Sequence, residues 1–540
     1  MAAKNKLALP LDFPSPTEHL TVSQMEQWLW DAACVIRGAA DAPKYKDFIL
    51  PLVFYKRLCD VYEDEFAEKV ADFGDEEMAQ AIIEEDHAAA LKEGRSLIIR
   101  FFVPAECAWK VIRNHAADSK LGEFVTECFR TVARLNPELG GVLDVKDFAE
   151  TQSGQRTLDN ERLEKLSEII SCHRLGLSNT QPDVLGHAYE YLLRKFAEGQ
   201  GQSASEFYTP AEVALMMGQL LDAPPYATVY DPTCGSGGLL IKARTAFEAK
   251  HPDKKAQAPK PHGQELNPVT YAMARMNMIL HDFGGSRFMV GDTFRNPGFS
   301  AKGAGLTTFH RCVANPMWNQ KGYPDSFYEG DGWNRFVYGL PPSSSADWAW
   351  VQHILASLKE GGRAAVVPDT GAVSCGSGGD SASCERTIRR AVVEADRVEG
   401  VILLPENLFY NTSAPEIVLL LAKGKPDARK GQMLLVNASQ FFVKRCPKNE
   451  LTEAGAAAVV EAFAAWQTTE KFSRVLTLDE VRAADFNLSL SQFVEVGERK
   501  THRPLSEILA DLDDAKAEHE LADAHLSATL ARLGLTGAKI

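Results

Sequence analysis

One glycine-rich segment constrains the fold of this chain more than any other feature. Residues 231–238 read Asp-Pro-Thr-Cys-Gly-Ser-Gly-Gly, after a short β-rich run at 227–230 and before a helical run at 239–250. Glycine adopts positive φ without strain and lets a ligand approach the backbone closely. The segment therefore predicts a sharp strand-to-helix turn that faces a ligand. A similar turn that binds nothing is the alternative.

Two acidic residues follow the next predicted strands. Residues 262–265 read as a strand ending at Glu265, about thirty residues after the glycine turn, where a doubly wound sheet places the carboxylate that holds ribose hydroxyls. Residues 287–290 read as a third strand, followed by Asp292, which is placed to accept from the exocyclic amine of adenine. A helix-cap or turn role is the alternative for Asp292. Three strand ends carrying Asp231, Glu265 and Asp292 predict one ligand crevice.

The chemistry of the turn indicates which nucleoside ligand it accepts. A dinucleotide requires the spacing G-x-G-x-x-G, whereas this turn reads Gly-Ser-Gly-Gly and opens with Asp231. A carboxylate there repels phosphate but attracts a ligand with a positive centre and an amino group. S-adenosylmethionine, with its sulfonium and α-ammonium groups, fits that description.

A later segment, Asn-Pro-Met-Trp at 315–318, completes a pattern that resembles a known family. The chain resembles the γ-ordered N6-adenine DNA methyltransferases and, within them, the modification subunit of type I restriction-modification systems. The resemblance extends over nearly the whole chain. Residues 206–210 match the family's first cofactor motif, and residues 231–238 match its glycine motif. Glu265 and Asp292 match its two acidic positions, and residues 315–318 match its catalytic tetrad. Residues 183–193 and 45–57 are similar to segments typical of the type I subunit.

The resemblance implies a fold, a cofactor and a set of site residues. The expected fold is α/β, a doubly wound Rossmann-like S-adenosylmethionine-dependent methyltransferase domain with an α-helical N-terminal domain and a helical C-terminal tail. The implied cofactor-binding residues are Glu206, Phe207, Tyr208, Thr209, Pro210, Asp231, Thr233, Gly235, Ser236, Gly237, Gly238, Glu265 and Asp292. The implied catalytic residues are Asn315, Pro316, Met317 and Trp318. The transfer to adenine N6 requires no metal.

The tetrad departs from the family pattern, which reads Asn or Asp, Pro, Pro, then Phe or Tyr. Asn315 Oδ1 and the carbonyl of Pro316 are candidate acceptors for the amino group of an extruded adenine, and Trp318 offers a large stacking face, worth about 1–3 kcal/mol per base. Met317 is more flexible than proline, which predicts a lower rate or a changed base preference. Taken alone, these residues also suit a strand end entering an Asn-Pro turn with a buried tryptophan.

Charge indicates that the chain does not hold DNA alone. The net charge of its 540 residues is −15, whereas proteins that grip DNA unaided usually carry a basic surface. Local basic patches could still exist at Lys56, Arg57 and 386–390, but the charge favours another subunit as the source of much of the grip. The resemblance adds the expected partners: double-stranded DNA, a specificity subunit carrying the target-recognition domains, a second copy of the chain and a restriction subunit.

The sequence also predicts the cellular compartment of the protein. No stretch reaches the roughly 18 apolar residues of a membrane span, and no signal segment opens the chain, which predicts a cytoplasmic enzyme. The 10 cysteines include no CxxC pair, so neither disulfides nor structural zinc is expected. Cys234 and Cys312, near the site in sequence, are interpreted as small packing residues rather than nucleophiles.

Helical periodicity at 25–37, 48–66 and 76–91 predicts an α-helical domain at 1–175. The methyltransferase domain is predicted at 176–490, and a partner-docking helical tail at 491–540. The tail could also fold back on its own domain. Several aromatic and basic residues of the first domain could contact DNA or a partner, or could be buried in amphipathic helices: Trp28, Trp30, Tyr45, Lys46 and Arg57.

Two insertions and two rival functions complete the sequence-based expectations. Residues 371–383 are expected to form a mobile loop, and 319–345 to close over the flipped base or to form an ordinary surface insertion.

One rival function is methylation of glutamine side chains in proteins. The other is a catalytically weakened cofactor-binding scaffold of a defence complex, with Met317 marking the lost activity.

Overall fold

The computed structural model of the protein divides into two compact units, Met1–Val494 and Glu495–Ile540. The structure describes residues 20–36, 46–93, 95, 97–115, 120–152, 155–180, 191, 209–281, 283, 285–301, 305–321, 323–378, 384–409, 412–446, 448–494, 515–517, 519–520, 522–524 and 526. The described residues of the second unit are helical. Among all the residues that the structure describes, in both units, no helix is long and apolar enough to span a membrane.

The first unit begins with a helical region, as the sequence predicts. Its helices are α1 Val22–Ile36, α2 Lys46–Phe73, α3 Glu76–Glu93, α4 Trp109–Asn114, α5 Leu121–Leu135 and α6 Asn160–Ile170. A hairpin of β1 Thr151–Gln152 and β2 Gln155–Arg156 precedes α6. Val125, Phe129 and Val132 recur at helical spacing along α5 and are all buried. Phe129 stacks on Tyr55 of α2 with ring centroids 4.2 Å apart, so the helices share one core.

Neither of the two candidate basic patches forms an open cationic surface. Lys56 and Arg57 are both buried, because Lys56 pairs with Asp60 one helical turn away and Arg57 donates to the carbonyls of Leu175 and Gly176. At the other predicted patch, Arg389 is fully buried and donates to the carbonyls of Ala372 and Cys375. Arg386 pairs with Asp485, and Arg390 is exposed but pairs with Glu394.

A central sheet of nine strands follows the helical region. The strands are β3 Thr228–Asp231, β4 Lys260–Glu265, β5 Arg287–Val290, β8 Phe309–Ala314, β9 Leu358–Val366, β10 Val398–Leu403, β11 Ile417–Lys423, β12 Gln432–Asn437 and β15 Ser473–Thr477. Small hairpins are formed by β6 Ser300–Ala301 with β7 Gly305–Leu306, and by β13 Phe442–Val443 with β14 Glu450–Leu451. The spatial order is β15-β12-β10-β11-β9-β8-β3-β4-β5. All strands are parallel except β11 and β15.

Helices cover both faces of the sheet. The remaining helices are α7 Ala211–Leu221, α8 Gly238–Lys250, α9 Pro268–Leu280, α10 Asp325–Glu329, α11 Asp347–Ala356, α12 Cys384–Glu394, α13 Glu453–Ala465 and α14 Leu478–Ala483. Val313 packs with α7, α8 and α9 on one face, while its neighbours Cys312 and Ala314 pack with α11 and α12 on the other. This alternation explains why the central strands are apolar throughout. Cys234 and Cys312 are buried packing residues, as expected.

The order of the strands creates a topological switch point beside β3. The chain runs outward from β3 to β4 and β5, then returns to place β8 on the other side of β3. Ligands of doubly wound sheets bind at the carboxyl ends of the strands beside such a point. The fold therefore places the end of β3 next to the end of β8.

The structure bears on both of the insertions singled out in the sequence. Residues 371–378 are held in place, since Ala372 and Val373 are buried and Gly378 N donates to Asp485, so the described part of this segment is not a mobile loop. Residues 319–345 pack their aromatic side chains into a small core of their own, which includes Tyr323, Tyr328 and Phe336. That packing favours a structural insertion over a segment that closes on a base.

Candidate functional site

The predicted site residues lie at the carboxyl ends of neighbouring parallel strands. Asp231 ends β3, Glu265 ends β4, Asp292 follows β5 by two residues, and Asn315 immediately follows β8. Thr209 and Pro210 lie just before α7. The predicted cofactor residues Glu206, Phe207 and Tyr208 fall outside the described residues.

The glycine turn adopts the backbone geometry that its sequence requires. Gly235 and Gly237 have φ of 53° and 82°, and a Cβ on Gly237 would lie 2.9 Å from Met278 Cε. Asn277 of α9 donates to the carbonyl of Ser236 at 2.9 Å and so holds the turn from behind. Asn277 was not predicted, because no local pattern links it to a turn forty residues earlier.

Glu265 is the carboxylate that secures the turn to the next strand. Its Oε2 accepts from Gly235 N at 3.0 Å, and its Oε1 accepts from Asn267 N at 2.8 Å. Each carboxylate oxygen can accept more than one hydrogen bond. Glu265 can therefore orient the glycine turn and still accept from ligand hydroxyls.

Asp231 is the most perturbed acid of the site. It is 1% exposed, and its Oδ1 accepts from Thr233 N at 2.9 Å. Its Oδ2 is buried and has no hydrogen-bond partner among the described residues. Burial raises the pKa of Asp231 to about 8, with a smaller contribution from the charge of Glu265. A buried acceptor without a partner is costly, so this atom indicates a site for a donor or cation.

Asn315 contributes a second unpartnered acceptor. It is 6% exposed, and its Nδ2 donates to Thr209 Oγ1 at 3.0 Å. This hydrogen bond fixes the orientation of the amide, and the buried Oδ1 has no partner in the part of the chain that the structure describes. Thr209 thus connects the predicted first cofactor motif to the predicted tetrad.

A cleft joins these groups. Asp231, Asn315, Thr209 and residues 233–236 and 238 all line it. Sequence reasoning missed the cleft residues contributed by helices, namely Ala211, Ala214, Leu239 and Lys242. Lys242 follows Gly238 by one helical turn, which is the signal that would have identified it.

The other three residues of the tetrad are not among those that line the cleft. Pro316 is buried, whereas Met317 is 36% exposed. Trp318 is half-buried, donates from Nε1 to the carbonyl of Val367 at 2.8 Å and meets Phe409 edge to face. The ring of Trp318 is therefore held in a fixed orientation.

Asp292 lies apart from the cleft. Its Oδ1 accepts from Phe294 N at 2.8 Å and Arg295 N at 3.1 Å, which is a turn role, and Tyr323 donates its hydroxyl to Oδ2 at 3.2 Å. Two apolar side chains at the same sheet edge are exposed, Leu266 by 62% and Val290 by 50%. The sequence analysis assigned neither a role, although Leu266 immediately follows Glu265 and Val290 ends β5, two residues before Asp292.

Comparisons with known proteins agree with this arrangement. The model of the family described as N-6 DNA Methylase matches residues 180–502, and the model described as HsdM N-terminal domain matches residues 25–170. The chain is 31% identical to the type I restriction enzyme MjaVIII methylase subunit of Methanocaldococcus jannaschii over 91% of this chain and 81% of the relative. It is 30% identical to the type I restriction enzyme HindI methylase subunit of Haemophilus influenzae over 79% of this chain and 98% of the relative.

A solved structure agrees as well. The type I restriction-modification system methyltransferase subunit from Streptococcus thermophilus superposes with a TM-score of 0.72 and 26% identity, covering 88% of this chain and all of that one. The chain belongs to the N-6 DNA methylases, among the methylase subunits of type I restriction enzymes. It is an adenine-specific, S-adenosylmethionine-dependent DNA methyltransferase, as the sequence predicts.

Proposed function

We propose that this chain transfers a methyl group from S-adenosylmethionine to N6 of an adenine rotated out of DNA, as the modification subunit of a type I restriction-modification complex. One observation carries the assignment of residues. Asp231 Oδ2 and Asn315 Oδ1 are buried, unpartnered acceptors in the part of the chain that the structure describes, and both residues line one cleft.

The donor set of the cleft fits an amino-acid-bearing nucleoside. Asp231 attracts the cationic amino group, and Lys242 offers a cation for the carboxylate of the same ligand. Glu265 accepts from the ribose hydroxyls, and the glycine turn lets the ligand approach its backbone. When bound, S-adenosylmethionine supplies a methyl carbon attached to a positive sulfur.

Leu266 is proposed to pack against the adenine ring of the cofactor, with Asp292 accepting from its amine. Leu266→Ala removes about 50 Å² of apolar contact, worth about 1 kcal/mol, so the Kd for S-adenosylmethionine should rise roughly fivefold to tenfold. Calorimetric titration measures this change. Leu91→Ala, a comparably exposed leucine of α3, is the matched control, and equal affinities for both variants would contradict the role.

The tetrad holds the target base. Asn315 Oδ1 and the carbonyl of Pro316 accept from the amino group of adenine, which draws N6 toward tetrahedral geometry. N6 then forms a bond to the methyl carbon as the sulfur–carbon bond breaks, and one N6 proton passes to water. Positioning carries much of the rate, because the methyl donor is already activated.

Trp318 is proposed to stack on the rotated base. Trp318→Ala should raise the KM for DNA about tenfold to a hundredfold, since the stack is worth about 1–3 kcal/mol. Trp318→Phe keeps a ring but loses the hydrogen bond to Val367, so a loss of less than about tenfold is expected. A 2-aminopurine at the target position reports the stack by fluorescence. If Trp318→Ala left both KM and fluorescence unchanged, the ring would not contact the base.

The assembly follows from the family and from charge. We propose that double-stranded DNA is held jointly with a specificity subunit, because the chain carries a net charge of −15 and its predicted basic patches are buried or paired. A second copy and a restriction subunit complete the proposed complex, which acts in the cytoplasm. The proposed division of the chain is a partner-contacting helical domain at 1–175, the methyltransferase domain at 176–490 and a docking tail at 491–540.

Methyl transfer in vitro distinguishes this function from its two rivals. The chain, purified with its specificity subunit, is incubated with tritiated S-adenosylmethionine, duplex DNA and a mixture of proteins. Label should enter DNA as N6-methyladenine. Label entering protein instead would favour the glutamine methyltransferase, and cofactor binding without label in either would favour the scaffold.

A further inference from the structure

A second concave site lies on the opposite edge of the sheet from the cofactor cleft. We call it the basal groove and define it by Trp333, Val337, Tyr338, Leu355, Arg397 and Lys423. Arg397 immediately precedes β10 and Lys423 ends the antiparallel β11, so both lie where the parallel strands begin. Because β10 has six residues, the groove is about 20 Å from the carboxyl edge.

Two cations in the basal groove lack acidic partners. Within the described chain, neither Arg397 nor Lys423 forms an ion pair with a carboxylate. Arg397 donates to Tyr338 Oη at 3.3 Å, and Lys423 donates to the carbonyl of Leu358 at 3.0 Å. At the same edge, Lys425 pairs with Asp396 at 2.6 Å and Arg363 pairs with Glu399 at 2.8 Å, whereas Arg397 and Lys423 face the groove without a carboxylate partner among the described residues.

The rest of the basal groove is apolar and partly exposed. Val337 is 61% exposed, and Trp333 is half-buried with the guanidinium of Arg335 5.0 Å from its ring. Arg335 is itself paired with Asp331. Leu355 of α11 contributes a buried apolar side chain to the lining. The groove thus combines two cations with a neighbouring apolar and aromatic surface.

The wall of the groove is held by buried hydrogen bonds. Gln352, which is fully buried, accepts from Tyr338 N at 2.9 Å and donates to the carbonyl of Gly339 at 2.9 Å. Arg335 donates to the carbonyl of Phe294 at 2.7 Å. A groove of about 270 Å³ with a fixed wall can take up side chains of a short peptide segment without first being ordered.

We propose that the basal groove docks an acidic segment of a partner protein subunit. Carboxylates of the segment would pair with Arg397 and Lys423, and an apolar or aromatic side chain would pack on Trp333 and Val337. A protein segment is favoured over duplex DNA because the surface is concave and half apolar, whereas a duplex is convex and needs a broad basic strip. The inference rests on the proposed multisubunit function.

The test measures the affinity of the full-length chain for each partner separately. The probes are the purified specificity subunit, the purified restriction subunit and a 25-base-pair duplex. Arg397→Glu with Lys423→Glu should weaken the binding of one protein subunit at least tenfold. The matched control, Lys254→Glu with Lys255→Glu, makes the same charge change and should leave both affinities within about twofold. Arg397→Gln with Lys423→Gln should give a smaller loss in the same subunit.

The same preparations separate this inference from the proposed function. The affinity for S-adenosylmethionine should be unchanged in every groove variant, which also verifies folding. Unchanged affinities for both protein subunits, or a loss confined to the duplex, would overturn the docking role. Methyl transfer by the wild-type complex reports the proposed function independently, because a groove that docks a subunit can be measured without turnover.

Discussion

Replacing Asn315 with alanine is expected to lower methyl transfer at least a hundredfold, while the affinity for S-adenosylmethionine should stay within about threefold. Removing one positioned hydrogen-bonding group from an active site costs about 10²–10³ in rate. The loss is confined to transfer because Asn315 Oδ1 is proposed to accept from the target base rather than from the cofactor. Single-turnover transfer to duplex DNA and calorimetric cofactor binding provide the two measurements.

Two further variants sharpen the assignment of Asn315. Asn315→Asp keeps an acceptor and should retain more activity than the alanine variant. Asn437→Ala removes another buried amide, at the end of β12 and four strands away from β8, and should leave transfer unchanged. A rate for Asn315→Ala close to that of the wild type would exclude Asn315 from catalysis.

Asp231→Asn has the second largest expected effect. The substitution should weaken cofactor binding and should raise the free energy of unfolding. The buried carboxylate attracts the cationic group of the cofactor, so the variant should bind S-adenosylmethionine roughly a hundredfold more weakly at pH 7.5. Because the pKa of Asp231 is about 8, more of the carboxylate ionises between pH 6 and 7.5, and wild-type affinity should rise over that range. The variant should lack this rise. Equal affinities at pH 7.5 would contradict the role of Asp231.

Stability of the same variant follows from the sign of the pKa shift. The folded pKa of Asp231 lies above the value for an unfolded chain, so its contribution to stability is fully present below about pH 4 and is lost as the pH rises through about 8. The neutral amide of Asp231→Asn avoids this loss. In denaturant titrations without cofactor, the variant should exceed the wild type by at least about 2 kcal/mol at pH 9, with a smaller difference at pH 5. A difference independent of pH would contradict the burial of the charge.

The sequence predicted the location of the site because each motif follows a strand. A residue at the end of a parallel strand must lie at the carboxyl edge, so Asp231, Glu265 and Asn315 could be assigned to one edge. Which atoms have partners could not be predicted. The Thr209 hydrogen bond that orients Asn315 joins residues 106 positions apart, and no periodicity encodes it.

The errors have a common physical cause. A basic patch at Lys56 and Arg57 was left open because charged residues are usually exposed. The burial of Arg57 depends on the carbonyls of Leu175 and Gly176, which lie more than a hundred residues away. The insertion at 319–345 was left open for a similar reason, since its aromatic side chains pack with Phe294, which precedes strand β8. Composition alone does not specify such contacts.

The most direct test is sequencing for N6-methyladenine in DNA from cells that express this chain with its specificity subunit, beside cells that express Asn315→Ala instead. The expected result is modification at one sequence motif with the wild-type chain and its loss with the variant. Equal modification in both would contradict the assignment of Asn315, and unmodified DNA in cells where the complex assembles would contradict adenine methylation itself.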